Sequence, residues 1–168
     1  LLEQEWQQTF KTTHVSKPTG DYPPLFHATM RFFAGPEVER SVVTMRMFNV
    51  AIAAAVLLWA LMLAPPVVSR ALALTWALAI IPIGLFFVAS ANPSSWAIIG
   101  GSTFWAFFYT LLTEPRWRSR RATSAMLGMA VTMVLAVMAR ADSVYVIVLS
   151  VAAVGIIQGF FLRNKLKS

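Results

Sequence analysis

The sequence predicts an all-α protein, a polytopic bundle of about five transmembrane helices with an outer N-terminal loop and a short membrane-surface helix. Three observations predict it. Hydrophobic residues make up 58% of the chain and charged residues 12%, with a mean hydropathy of +0.66, far from the balance of a soluble domain. The apolar residues fall in stretches close to the ~20 residues that a helix needs to cross a bilayer. The positive residues behind the net charge of +7 gather at the ends of those stretches, which suits membrane orientation and leaves nucleic-acid binding without support. The chain has no cysteine, so disulfides and thiolate metal sites are excluded.

Residues 1–41 form the extracytoplasmic part and 42–168 the transmembrane bundle. Within the first part, Ser16-Lys17-Pro18-Thr19-Gly20-Asp21-Tyr22-Pro23-Pro24 is dense in turn formers and predicts an ordered loop. From Leu25 to Phe33 the pattern turns apolar with His27 and Arg31 interspersed, as expected of a short helix lying on the membrane, with Gly35 as its stop. Pro36, Glu37 and Glu39 suit the first turn of the next helix, where carboxylates complement the helix dipole.

The first span covers 42–64 and ends at Pro65-Pro66, which cannot supply amide hydrogens to the ladder. The second covers 71–89 with Pro82 inside it, and Asn92-Pro93-Ser94-Ser95 turns the chain. The third covers 96–112, the fourth 123–139 and the fifth 144–162. Trp96, Tyr109 and Trp117 suit interfacial aromatic belts. Gly155 and Gly159, and Ser124, Gly128 and Thr132, stand four residues apart and predict close helix packing within the bundle, with dimerisation as the alternative. The Met-rich fourth span is packing or lipid-facing material.

Lysine and arginine favour cytoplasmic loops. Placing the N-terminal segment outside puts Arg70, Arg116, Arg118, Arg120, Arg121, Arg163, Lys165 and Lys167 inside, with only Arg140 in the outer turns between spans. The C-terminal end is then cytoplasmic. The chain opens Leu1-Leu2-Glu3 with no secretory signal, so the expectation is a portion of a larger multi-pass protein of the cell membrane, with a further apolar helix upstream.

This topology gathers polar groups at the outer face: His14, Lys17, Asp21, Tyr22 and His27, then Asn92, Ser94 and Ser95, then Arg140 and Asp142. Asp21 or Asp142 is a candidate general base, and Arg140 or Lys17 a candidate holder of an anionic phosphate. His27 and Asn92 complete the candidate substrate-binding set. The bland alternatives are a turn residue for Asp21 and a helix cap with a solvated charge for Asp142. His14 and His27 lack a third ligand, so no metal is expected. Asn49 and Gln158 suit hydrogen bonds between helices, or a substrate contact. Arg46 suits snorkelling to the interface, or anion binding. The cluster Arg116, Arg118, Arg120 and Arg121 suits anionic headgroups, although topology alone explains it.

The run from Lys17 to His27, leading through a short amphipathic helix into a span, resembles the outer loop of GT-C type polytopic glycosyltransferases. Tyr22-Pro23-Pro24-Leu25, Val38-Glu39-Arg40-Ser41, Asn92-Pro93-Ser94-Ser95-Trp96-Ala97 and Arg140-Ala141-Asp142-Ser143 together resemble bacterial predicted membrane proteins of the domain-of-unknown-function 2142 family. The resemblance implies a lipid-linked sugar donor, such as a polyprenyl-phosphate sugar, and transfer at the outer membrane face in cell-envelope glycan assembly; separately, no cofactor is expected. It also implies a catalytic acid early in the first outer loop. Glu3 and Glu5 lie closest to that position and neither matches it, so this chain alone is expected to be inactive. The competing expectation is a non-catalytic membrane protein that binds other envelope-assembly proteins, besides membrane lipids.

Overall fold

The computed structural model describes residues 23–79 and 82–165, and every regular element among them is an α-helix. In chain order these are α1 (Pro24–Arg31), α2 (Val38–Leu63), α3 (Pro66–Ala79), α4 (Pro82–Val88), α5 (Ser94–Thr113), α6 (Arg120–Val137) and α7 (Ser143–Lys165).

Helix α1 starts on a proline at its first position, where the missing N–H costs nothing. Phe26 and Met30, one turn apart, are its buried residues and join Trp96 and Ala139 in a small core. Phe26 meets the Trp96 ring edge-on at 5.2 Å. The helix ends at Arg31, ahead of the stop expected at Gly35. Gly35 instead donates its N–H to Ser41 Oγ at 2.9 Å and so ties the linker to α2.

Glu37 is the N-cap of α2, which places the helix start two residues after Pro36. The helix runs for 26 residues, about 39 Å at 1.5 Å per residue, and stops just before Pro65-Pro66 as expected. Two donors close that end. Arg121 gives Nε and Nη2 to Leu63 O at 3.1 and 2.8 Å, and Ser69 Oγ bonds Leu61 O at 3.0 Å. Leu61 O and Leu63 O, two of the carbonyls that a helix C-terminus leaves without partners, are thereby satisfied.

The stretch expected as the second span is occupied by α3, starting at Pro66, and by α4, starting at Pro82. Helix α5 is the centre of the bundle. Half of its apolar window is buried, against 22% for α2 and 17% for α7. Glycines set its approach to α6. A Cβ on Gly100 would strike Thr132 O and stand 2.9 Å from Ala136 N, and one on Gly128 would enter the Phe107 ring. Each helix thus presents a glycine to the other.

Gly155 and Gly159 behave differently, because a Cβ at either meets nothing within 4 Å. The close packing expected there is absent among the described residues, from which that face of α7 looks outward. Three helices, Val38–Leu63, Ser94–Thr113 and Ser143–Phe160, are long and apolar enough to cross a membrane by length and composition, and Pro66–Leu78 is a shorter apolar helix. Met62, Leu78, Tyr145 and Ile156 are each more than 70% exposed. Such a wide apolar exterior suits lipid or further protein, not water.

Candidate functional site

The site lies where α4 ends, α5 begins and α6 turns into α7. The first determinant is the end of α4 and the two residues after it, whose carbonyls each receive a side-chain donor. Ser95 Oγ bonds Val88 O at 2.8 Å, Arg46 Nε bonds Ala89 O at 3.0 Å, and Asn49 Nδ2 bonds Ser90 O at 2.7 Å. Asn49 is fully buried and also accepts from Trp96 Nε1 at 2.9 Å. One amide on α2 therefore clamps both sides of the turn between α4 and α5.

Several expectations are revised by this arrangement. Arg46 turns its Nε to a helix-end carbonyl, the third use open to an arginine placed there. Trp96 is 3% exposed and belongs to the core instead of an interfacial belt. Asn49 makes the interhelical bonds expected of it, whereas buried Gln158 Nε2 has no hydrogen-bond partner among the described residues.

On this fixed turn, Asn92 Oδ1 accepts the Ser94 N–H at 2.9 Å, the side-chain mimic of a backbone turn. Ser94 Oγ in turn accepts from Arg140 Nη1 at 3.0 Å. Arg140 sits just past α6, its N–H bonded to Ala136 O. Its guanidinium forks onto Asp142, Nε to Oδ1 at 3.0 Å and Nη2 to Oδ2 at 2.7 Å. Hydrogen bonds from this guanidinium hold the Asp142 carboxyl below its ordinary value; desolvation opposes them, while the arginine's charge and nearby backbone amides add to the lowering. A carboxylate held low and doubly bonded is a poor proton acceptor. Its geometry is that of a brace for Arg140.

Below the fork opens a cleft of about 580 Å³ between α5 and α7, within the size range of small-molecule sites. Phe87, Ala97, Ile98, Gly101 and Val146 make its apolar wall, and Ser94, Ser102, Arg140, Asp142 and Ser143 supply the polar groups. Gly101 brings α7 close, since a Cβ there would stand 3.0 Å from Val146 Cγ1. An apolar trough with a guanidinium at its rim can hold an amphiphile whose anionic head meets the arginine.

Of the sequence-predicted residues, Arg140 and Asp142 line the cleft, and Asn92 touches it through Ser94. His27 is exposed on α1 with its ring edge-on to Phe26 at 5.6 Å and does not line the cleft. Lys17 and Asp21, with His14 and Tyr22, lie outside the described residues. The apolar wall and the α4 clamp escaped sequence reasoning. Their signals were the small-residue run Gly100-Gly101-Ser102 within an apolar helix and the three polar groups Arg46, Asn49 and Ser95.

No match is found among curated proteins or among solved structures. Residues 2–167 match the family described as predicted membrane protein, DUF2142, so nearly the whole chain, the helices and the cleft included, is covered, and the chain belongs to that family of membrane proteins.

Proposed function

We propose that the chain is part of a membrane-embedded, glycosyltransferase-like protein that takes a lipid-linked sugar phosphate in cell-envelope glycan assembly. The observation that carries the proposal is the Arg140 guanidinium, braced by Asp142 and Ser94 at the rim of an apolar cleft. The hydrocarbon chain of a polyprenyl-phosphate sugar lies in the trough, and its phosphate takes the guanidinium. Asp21 and Lys17 are the sequence's candidates for base and second cation, while Asp142 orients Arg140 and leaves proton transfer to another group.

In this proposal the chain crosses the membrane five times, with its N-terminal segment and the cleft rim outside and its C-terminal end in the cytoplasm. Two observations support the count. α6 has 18 residues, about 27 Å, close to the ~30 Å hydrocarbon core. Helices α3 and α4 together cover the length of one further span.

Native mass spectrometry of the full-length protein with polyprenyl-phosphate sugars tests the proposal. Wild type is expected to retain the sugar lipid and Arg140→Ala to lose it at least tenfold. Equal retention by both proteins, each shown to be folded, refutes the assignment. A second role, a non-catalytic envelope-assembly partner, draws on the outward face of α7, where Gly155 and Gly159 stand open among the described residues. Affinity capture in mild detergent that yields a stoichiometric protein partner and no sugar lipid favours that role.

A further inference from the structure

The sequence places five arginines in two short segments at the end of the bundle opposite the cleft: Arg70 on α3, and Arg116, Arg118, Arg120 and Arg121 around the start of α6. The fold sorts them into two kinds. Arg121 is used internally: it caps Leu63 O through two bonds and stands 3.9 Å from Glu114. Glu114 is the one acidic residue of this turn. It is nearly buried at 13% side-chain exposure and already accepts from Ser119 Oγ at 3.1 Å. Ser119 caps α6 by accepting the Ala122 N–H. The local negative charge is thus consumed within the structure.

The other four, Arg70, Arg116, Arg118 and Arg120, are exposed and have no ion-pair or hydrogen-bond partner among the described residues. Between Arg116 and Arg118 stands Trp117, 66% exposed, although a tryptophan normally buries most of its ring. Unpaired guanidiniums around an outward indole, where apolar helices end, match the chemistry of a bilayer interface: the ring lies at headgroup level and the cations face phosphates. Topological bias explains why arginines occur at this end. It does not explain an unpaired set arranged around a bare indole while the fifth arginine is consumed in capping.

We infer that Arg116, Trp117, Arg118 and Arg120, with Arg70 beside them, form a docking surface for anionic phospholipid headgroups, which fixes the turn between α5 and α6 at the membrane. The inference is independent of the cleft. Each guanidinium near an anionic surface strengthens binding roughly fivefold.

The test uses the full-length protein in nonionic detergent, offered equal amounts of phosphatidylglycerol and phosphatidylcholine with identical acyl chains, with bound lipids counted by native mass spectrometry. Wild type is expected to favour phosphatidylglycerol at least tenfold. The triple variant Arg116→Gln, Arg118→Gln, Arg120→Gln is expected to bring the preference close to one, and the triple Arg→Lys variant to keep most of it. Because a triple variant can fail to fold, Arg118→Gln alone is measured as well, with an expected loss of roughly fivefold. A wild-type ratio near one overturns the inference and leaves the patch to an acidic protein partner. So does a preference that survives in the folded glutamine variants.

Discussion

At the residue scale the structure separates polar side chains that hold helices together from those that line the cleft. Asn49 is of the first kind. It satisfies Ser90 O and Trp96 Nε1 at once, so Asn49→Leu leaves two groups without partners in an apolar setting. The expected loss is about 1–3 kcal/mol, read as a lower unfolding midpoint in detergent. An unchanged midpoint would show that the turn does not depend on the clamp. Asp142 braces Arg140 from an exposed position, and its contribution to stability is small, within about 1 kcal/mol. Its carboxyl is lowered from an ordinary value of 3.8 in the folded protein. The contribution is therefore complete above that ordinary value and is lost as pH falls through the lowered one. The stability difference between wild type and Asp142→Asn should stay constant from neutral pH down to mild acid and shrink only in stronger acid. A difference that disappears near neutrality would mean the fork is absent in solution.

At the element scale, glycines that look alike in sequence do different work. Gly100 lies against the backbone of α6, which cannot yield as a side chain can. Gly100→Ala is expected to cost about 1–3 kcal/mol by overpacking. Gly155→Ala meets open space and is expected to be neutral or slightly stabilising in thermal unfolding; equal losses at both sites would contradict the helix arrangement. Four-residue spacing announces a glycine stripe but not its neighbour, so the sequence alone could not tell the packed pair from the open one. Helix ends were legible where covalent chemistry decides them, at Pro65-Pro66 and at Asn92-Pro93. They were less so where capping decides, as at Arg31, which precedes the expected Gly35 stop. The polar rim of the cleft was legible because Arg140 and Asp142 stand alone in a short turn between two apolar stretches. Its apolar wall was not, because Ala97, Ile98 and Val146 resemble every other lipid-compatible residue until two helices bring them together.

At the scale of the whole molecule, the inside-out distribution of apolar surface and the charge asymmetry define a protein of the membrane with two chemically distinct ends. Residues 1–168 contain no cysteine, so a single one introduced here reports orientation once any cysteines elsewhere in the full-length protein are replaced. A cysteine placed at Asn92 is expected to react with an impermeant maleimide on intact cells, and one at Arg118 only after permeabilisation. The reverse pattern would invert the topology and move the cleft rim to the cytoplasm.

The central claim is that the cleft between α5 and α7 holds the hydrocarbon part of an anionic lipid beneath Arg140. Photo-crosslinking of the full-length protein with a polyprenyl phosphate carrying a diazirine in its chain tests it most directly. Label concentrated on Ala97, Ile98 and Val146, and diminished in Arg140→Ala, is the predicted result. Label spread along the outer faces of α2 and α7, at residues such as Met62 and Ile156, and indifferent to Arg140, would contradict it.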